Sequence, residues 1–188
     1  MKIFFHFSVI GFSNTYLVGN TGGGDAILID PGHMDIELLK LIEENNFYIK
    51  HILITHRHPS HTEGLRTLMK IYDSEIYANS PFIMDYKVNT LSDGSSITLS
   101  DIPISASLIP GHSSDSLVYK IQDALFTGDV LMSGRLGSTN SSLSRSLLIR
   151  SIQEKILPLD DNTLIFPGHG APTTLFVEKM INPILKNK

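Results

Sequence analysis

The chain has 188 residues, enough for one domain of ordinary size that buries its own core without staples. It contains no cysteine, which excludes a disulfide framework and a zinc–thiolate site and leaves nitrogen and oxygen to hold any metal. A formal charge of −4 with 15 dispersed lysines and arginines supplies no basic face for nucleic acid, and no run approaches the roughly 20 apolar residues of a membrane helix. The expectation is a single domain over 1–188 that meets a small-molecule substrate, with no nucleic-acid or membrane partner.

Residues 1–10 carry one positive charge and an apolar run, but His6 and Ser8 interrupt it and no small-x-small cleavage site follows. They read as a first or edge strand, which points to a cytoplasmic protein. Strands at 2–7, 15–18 and 26–29, separated by Gly11-Phe12-Ser13-Asn14 and a tight turn at 20–25, open the chain as a β-meander. Residues 35–46 place Ile36, Leu39 and Ile42, with Leu38 and Leu41 beside them, at helical spacing. A strand follows at 51–55. Ser60-His61-Thr62-Glu63 has the form of a capping box and predicts a helix carrying Leu65, Leu68 and Met69, with Ser60 as its cap and His61 on its first turn.

Further on, the pattern predicts a strand at 75–78, a short helix over 81–86, and strands at 97–99, 102–109, 116–121 and 124–127. The stretch 132–142 has no strong periodicity and reads as a Ser/Gly rim loop. A helix over 143–157 has Leu147, Leu148, Ile152 and Ile156 as its apolar side, and a strand at 163–166 precedes a helix over 176–185 broken near Pro183. The element order echoes between the halves, and Asp25-Ala26-Ile27-Leu28-Ile29-Asp30 rhymes with Asp123-Ala124-Leu125-Phe126-Thr127-Gly128-Asp129. Two sheets face to face with helices outside, a layered α/β sandwich, accommodate this order.

The chemistry sits at the ends of these strands. His56-Arg57-His58-Pro59-Ser60-His61 follows the strand at 51–55, Pro110-Gly111-His112 follows 102–109, Thr127-Gly128-Asp129 closes 124–127, and Pro167-Gly168-His169 follows 163–166. Five of the eight histidines thus obey one positional rule. Neutral imidazole and carboxylate suit zinc or iron, and an open coordination position on such a metal makes hydroxide from water near neutral pH. His6, His33 and His51 read as ordinary hydrogen-bonded residues, although His33 lies in a further Pro-Gly-His after Asp30 and is assigned to the rim.

Thr55-His56-Arg57-His58-Pro59-Ser60-His61-Thr62-Glu63-Gly64, with Gly111-His112, Gly128-Asp129 and Pro167-Gly168-His169, resembles the metallo-β-lactamase superfamily. The ending Pro167-Gly168-His169-Gly170-Ala171-Pro172-Thr173-Thr174, with Glu178-Lys179 and Asn182-Pro183, is similar to short relatives of hydroxyacylglutathione hydrolase (glyoxalase II). The resemblance implies a four-layer αββα fold and metal-dependent thioester hydrolysis at a Zn2+ or Fe2+ centre. It implies His56, His58 and His112 as ligands of a first metal, Asp129 as a bridge, and His61 and His169 as ligands of a second, with Asp129, His61 and His169 as catalytic residues. Asp30 becomes the acceptor that orients a histidine ring.

Two positions depart from the pattern. His-x-His-x-Asp-His has a carboxylate where this chain has Ser60, and Gly137-Ser138-Thr139-Asn140 stands where the short hydrolases carry Gly-Arg-Thr-Asp. A hydroxyl cannot supply negative charge to a second dication, so one well-occupied site and one weak site are expected. The 19 residues after His169 leave no room for the helical domain with which long glyoxalases grip glutathione. Two other classes use the same residues. One is a mononuclear iron enzyme resembling persulfide dioxygenases, and the other a non-catalytic metal-binding member.

Overall fold

The protein is described here by a computed structural model of residues 1–186, and they divide into two compact units, Met1–Leu91 with Thr98–Ile102, and Ser92–Ile97 with the chain from Pro103 onward. In the first, β1 (Lys2–Phe7), β2 (Asn14–Gly19) and β3 (Gly24–Ile29) form the expected antiparallel meander. Helix α1 (Ile36–Glu44) carries the chain across to β4 (Phe47–Leu53), which pairs in parallel with β3. Helices α2 (Pro59–Thr62) and α3 (Leu65–Ile71) do the same for β5 (Glu75–Ala78). After a hairpin of β6 (Phe82–Ile83) and β7 (Tyr86–Lys87), β8 (Asn89–Thr90) completes a six-stranded sheet of order β1-β2-β3-β4-β5-β8.

Asp35 caps α1 by accepting the Leu38 N–H at 2.9 Å. Leu38 and Ile42, one turn apart, are fully buried against Leu28, Ile49 and Ile52, each side chain contributing roughly 1.5–3 kcal/mol of burial. Ile36 was expected on the same stripe, but it is 60% exposed, because the face that meets the sheet centres on Leu38 and Ile42.

Two local expectations fail here. The capping box does not form: Pro59, with its fixed φ, takes the first helical position, so His58 is the N-cap and Ser60 lies inside a single turn. Glu63 instead donates its backbone N–H to Pro59 O at 3.0 Å, and α3 starts separately at Leu65. The short helix expected over 81–86 is the β6–β7 hairpin. Six residues are too few to repay helix nucleation, and Met84 adopts φ 52° at the two-residue turn between Phe82-Ile83 and Tyr86-Lys87.

The second unit is built on a six-stranded sheet of order β16-β15-β12-β11-β10-β9. Its elements are β9 (Ser96–Leu99), β10 (Ile102–Leu108), β11 (Leu117–Ile121), β12 (Ala124–Gly128), the hairpin β13 (Leu131–Met132) and β14 (Arg135–Leu136), helix α4 (Ser142–Lys155), β15 (Leu164–Pro167), β16 (Thr173–Thr174) and helix α5 (Leu175–Ile181). Strands β12 and β15 pair in parallel across α4, as β3 and β4 do across α1. Ser141 caps α4 by accepting the Ser144 N–H at 3.0 Å.

From α4, Leu148, Ile152 and Ile156 enter a core with Ile109, Val118, Leu125 and Ile165, whereas Leu147, expected beside them, is 44% exposed. Helix α5 ends at Ile181, and Asn182 caps it ahead of Pro183, where a break was expected. The aperiodic stretch 132–142 is not wholly irregular, since its first part is the β13–β14 hairpin, turned by Gly134 at φ 72°. No helix among the described residues is long and apolar enough to cross a membrane.

Candidate metal centre

In the first unit the candidate ligands hang on one buried carboxylate. Asp30 follows β3 in the left-handed region, at φ 51°, a conformation aspartate tolerates better than most residues. Its Oδ1 accepts the Thr55 N–H at 2.7 Å, and its Oδ2 accepts both the Thr55 hydroxyl at 2.6 Å and His61 Nδ1–H at 3.0 Å. Asp30 is 2% exposed and His61 fully buried. The bond from His61 leaves Nε2 as the lone-pair nitrogen of a neutral ring.

The same logic reaches His56. Thr55 spends its single hydroxyl proton on Asp30, so toward His56 Nδ1, 3.1 Å away, its oxygen can only accept. His56 is therefore protonated on Nδ1 and presents Nε2. That nitrogen lies 2.9 Å from His58 Nδ1. Two ligand nitrogens about 2.0–2.1 Å from one zinc stand about 2.9–3.4 Å apart for angles between octahedral and tetrahedral, so the pair fits neighbouring corners of one coordination sphere.

The backbone that carries these rings is pressed close. A Cβ at Gly32 would stand 1.7 Å from the Ser60 carbonyl oxygen, so the loop after Asp30 can pass α2 only as glycine. Ser60 itself is half-buried, with its Cβ packed over Gly11.

The second unit gathers residues from three separate strand ends. His112, after β10, donates Nδ1–H to the Ser138 carbonyl at 2.9 Å, which leaves Nε2 as the lone-pair nitrogen of the neutral ring. Nε2 faces Asp129 Oδ2 at 3.6 Å. A ring nitrogen and a carboxylate oxygen at this separation can serve one cation as neighbouring ligands. Asp129, directly after β12, accepts His169 Nδ1–H on its other oxygen at 2.7 Å, so His169, after β15, also presents Nε2. Within each unit the donors and tautomers thus fit a borderline dication such as zinc or ferrous iron.

The three remaining histidines belong to neither group of candidate ligands. His6 Nε2 lies 3.1 Å from Asp35 Oδ2, and burial lowers the pKa of His51, which sits 3.6 Å from Glu75. His33 is half-buried on the loop beside Gly64. Sequence reading missed Thr55, whose hydroxyl relays Asp30 to His56, and the Ser138 carbonyl. The only signal for Thr55 was its place between a strand and the first histidine, and a backbone carbonyl carries no residue signature at all.

Residues 9–96 match the family model described as metallo-beta-lactamase superfamily. Hydroxyacylglutathione hydrolase GloC of Haemophilus influenzae is 30% identical over 87% of this chain and 89% of its own length. The chain belongs to the metallo-beta-lactamase superfamily. Two solved structures of similar fold lie alongside it. A B3 metallo-beta-lactamase, BLEG-1, matches with a TM-score of 0.88 at 26% identity, over 99% of this chain and 100% of its own. The di-iron-bound form of TTHA1623 matches with a TM-score of 0.82 at 26% identity, over 97% of this chain and 100% of its own. As a superfamily member this chain has the mixed α/β fold its motifs implied, with a six-stranded sheet in each unit.

Proposed function

We propose that the chain, acting as one functional domain, is a metal-dependent hydrolase of thioesters. In this reading His56, His58 and His112 would hold a first zinc or iron ion, Asp129 would serve both positions, and His61 and His169 would offer a weaker second one that lacks a carboxylate at Ser60. Such an ion would supply Lewis-acid chemistry, making hydroxide available from water near neutral pH for attack on an activated carbonyl. The residues have separable tasks. Ser138, Thr55 and Asp30 keep the rings in the tautomers that face inward, Asp129 orients the attacking water, and His61 and His169 move protons where the second position is empty. The observation that carries the reading is His112 Nε2 beside Asp129 Oδ2 at 3.6 Å, two potential ligand atoms close enough to serve one metal ion. Superfamily membership and the 30% identity to a hydroxyacylglutathione hydrolase favour thioester cleavage as the reaction.

The test is metal analysis of protein purified without chelators, followed by turnover of a panel of thioesters, lactones and phosphoesters by wild type and His112→Ala. The expected result is about one tightly held metal per chain in wild type, thioester turnover that chelation removes, and loss of both metal and turnover in His112→Ala. His33→Ala should leave bound metal unchanged. If no substrate in the panel shows a metal-dependent rate above that of His112→Ala, hydrolysis is wrong, and oxygen uptake by iron-loaded protein would then identify an oxygenase.

A further inference from the structure

Glu178 is fully buried at the inner side of α5, beside an equally buried Asn182, and neither has a task in the chemistry above. Its carboxyl oxygens accept the Gly134 N–H at 3.0 and 3.2 Å and the Asn182 side-chain amide at 3.0 Å. Gly134 is the turn of the β13–β14 hairpin, and β14 ends at Leu136. The next two residues meet His112. A Cβ at Gly137 would stand 2.0 Å from the Asp129 carbonyl oxygen and 2.9–3.0 Å from the His112 ring, and Ser138 supplies the carbonyl that accepts from Nδ1. No φ in the left-handed region is involved at Gly137, so the demand for glycine there is one of space alone.

We propose that the segment Gly137-Ser138 is the positioning element of His112, and that the buried Glu178 and Asn182 anchor it through the hairpin. The segment sets which nitrogen His112 presents, and Gly137 lies against both the His112 ring and the Asp129 carbonyl, so a ligand and its neighbouring carboxylate share one support. This rests on the reading of His112 as a metal ligand. It also gives the residues at this place a role that needs neither the arginine nor the aspartate of the family's Gly-Arg-Thr-Asp. What matters is a small residue at Gly137 and a carbonyl at Ser138, whatever side chain the latter bears.

The experiment reads the His112 tautomer in the metal-free protein by long-range nitrogen–proton NMR, and the affinity for zinc alone by competition with a chromophoric chelator. Wild type is expected in the Nδ1–H tautomer. Gly137→Ala should lose that tautomer's dominance and weaken zinc by about 10- to 100-fold, the range typical of supports behind a ligating histidine. Ser138→Ala should change neither, because the bond uses the backbone. Glu178→Gln, which places an amide against one of two donors, should weaken zinc in the same direction but less than Gly137→Ala. If Gly137→Ala does not fold, the wild-type tautomer and Glu178→Gln still decide.

An Nε2–H tautomer in wild type, or wild-type zinc affinity in folded Gly137→Ala, overturns the proposal. His112→Ala is measured alongside. If it binds zinc as wild type does, the ligand assignment fails and takes this role with it. If zinc behaves as expected but no thioester turns over, only the hydrolase reading fails.

Discussion

Two aspartates occupy corresponding places in the two units and do different work. Asp30 follows β3, which pairs in parallel with the next strand across a helix, and Asp129 follows β12, which does the same. Each accepts the Nδ1–H of a histidine from a later loop, His61 at 3.0 Å and His169 at 2.7 Å. The difference lies in the remaining oxygen. Asp30 sits under Thr55, whose N–H and hydroxyl take up its oxygens along with His61, and it is 2% exposed. Asp129 is 8% exposed and has Oδ2 3.6 Å from His112 Nε2. A carboxylate tied up by a backbone N–H and a hydroxyl becomes a scaffold, whereas one flanked by two histidine rings can serve a cation. Burial and fold position are nearly the same, so the donors decide the role.

The strongest way to break this comparison is Asp30→Asn. The substitution keeps shape, but three donors converge on Asp30, and the new amide must face at least one of them. A donor buried without an acceptor costs about 1–3 kcal/mol, and more where the lost partner carried charge. Expected is a stability loss of about 3 kcal/mol in chemical denaturation, with zinc affinity lowered about 10- to 100-fold because His61 and, through Thr55, His56 lose their fixed tautomers. A variant with weakened zinc but unchanged stability would mean that Asp30 is a ligand and not a scaffold, and the two aspartates would then be alike.

The same contrast explains what was legible in the sequence. His56, His58 and His61 lie within one hexapeptide, so their association is covalent and visible in any reading. Asp129, His112 and His169 are far apart in sequence and were singled out by the rule that each follows a strand, together with the family resemblance. What fixes them was not visible. The Ser138 carbonyl is common to every residue type, Gly137 is required by the close approach of Asp129 and not by a turn, and Glu178 sits on a helix where it resembles a surface residue. The start of α2 was misjudged for a related reason, since Ser60-x-x-Glu63 matches a capping pattern while Pro59 claims the first helical position one residue earlier. Propensity also missed the hairpin at 82–87, where a two-residue turn with positive φ overrides the helical reading.

A middle-sized effect tests whether the second position is weak for want of a charge. Ser60→Asp adds an anionic oxygen on α2, next to the buried His61 and within the segment that carries His56 and His58. Bound zinc after dialysis should rise from about one toward about two per chain, with turnover rising alongside. Unchanged stoichiometry would show that the charge is supplied elsewhere, and the missing carboxylate at Ser60 would no longer account for the weaker site.

The smallest effect comes from a carboxylate that accepts as many hydrogen bonds as Asp30 but lies in water. Asp93 receives Lys155 Nζ on both oxygens at 2.8 Å and the Leu108 N–H at 2.9 Å, yet its side chain is 52% exposed and that of Lys155 31%. The hydrogen bond from Lys155, followed by that from Leu108, lowers its pKa below the usual aspartate value. The folded state therefore holds the charged form more tightly than the unfolded chain does. Its contribution is complete above the unfolded pKa of about 3.9 and is lost as the pH falls through the lower folded value. Asp93→Asn should cost less than about 1 kcal/mol at neutral pH, because an exposed pair is screened, and the difference from wild type should shrink to nothing in acid. Denaturant midpoints at neutral pH and below the folded pKa measure this. A loss at neutral pH as large as that of Asp30→Asn would mean that the number of hydrogen bonds, not burial, sets the cost of removing a carboxylate here.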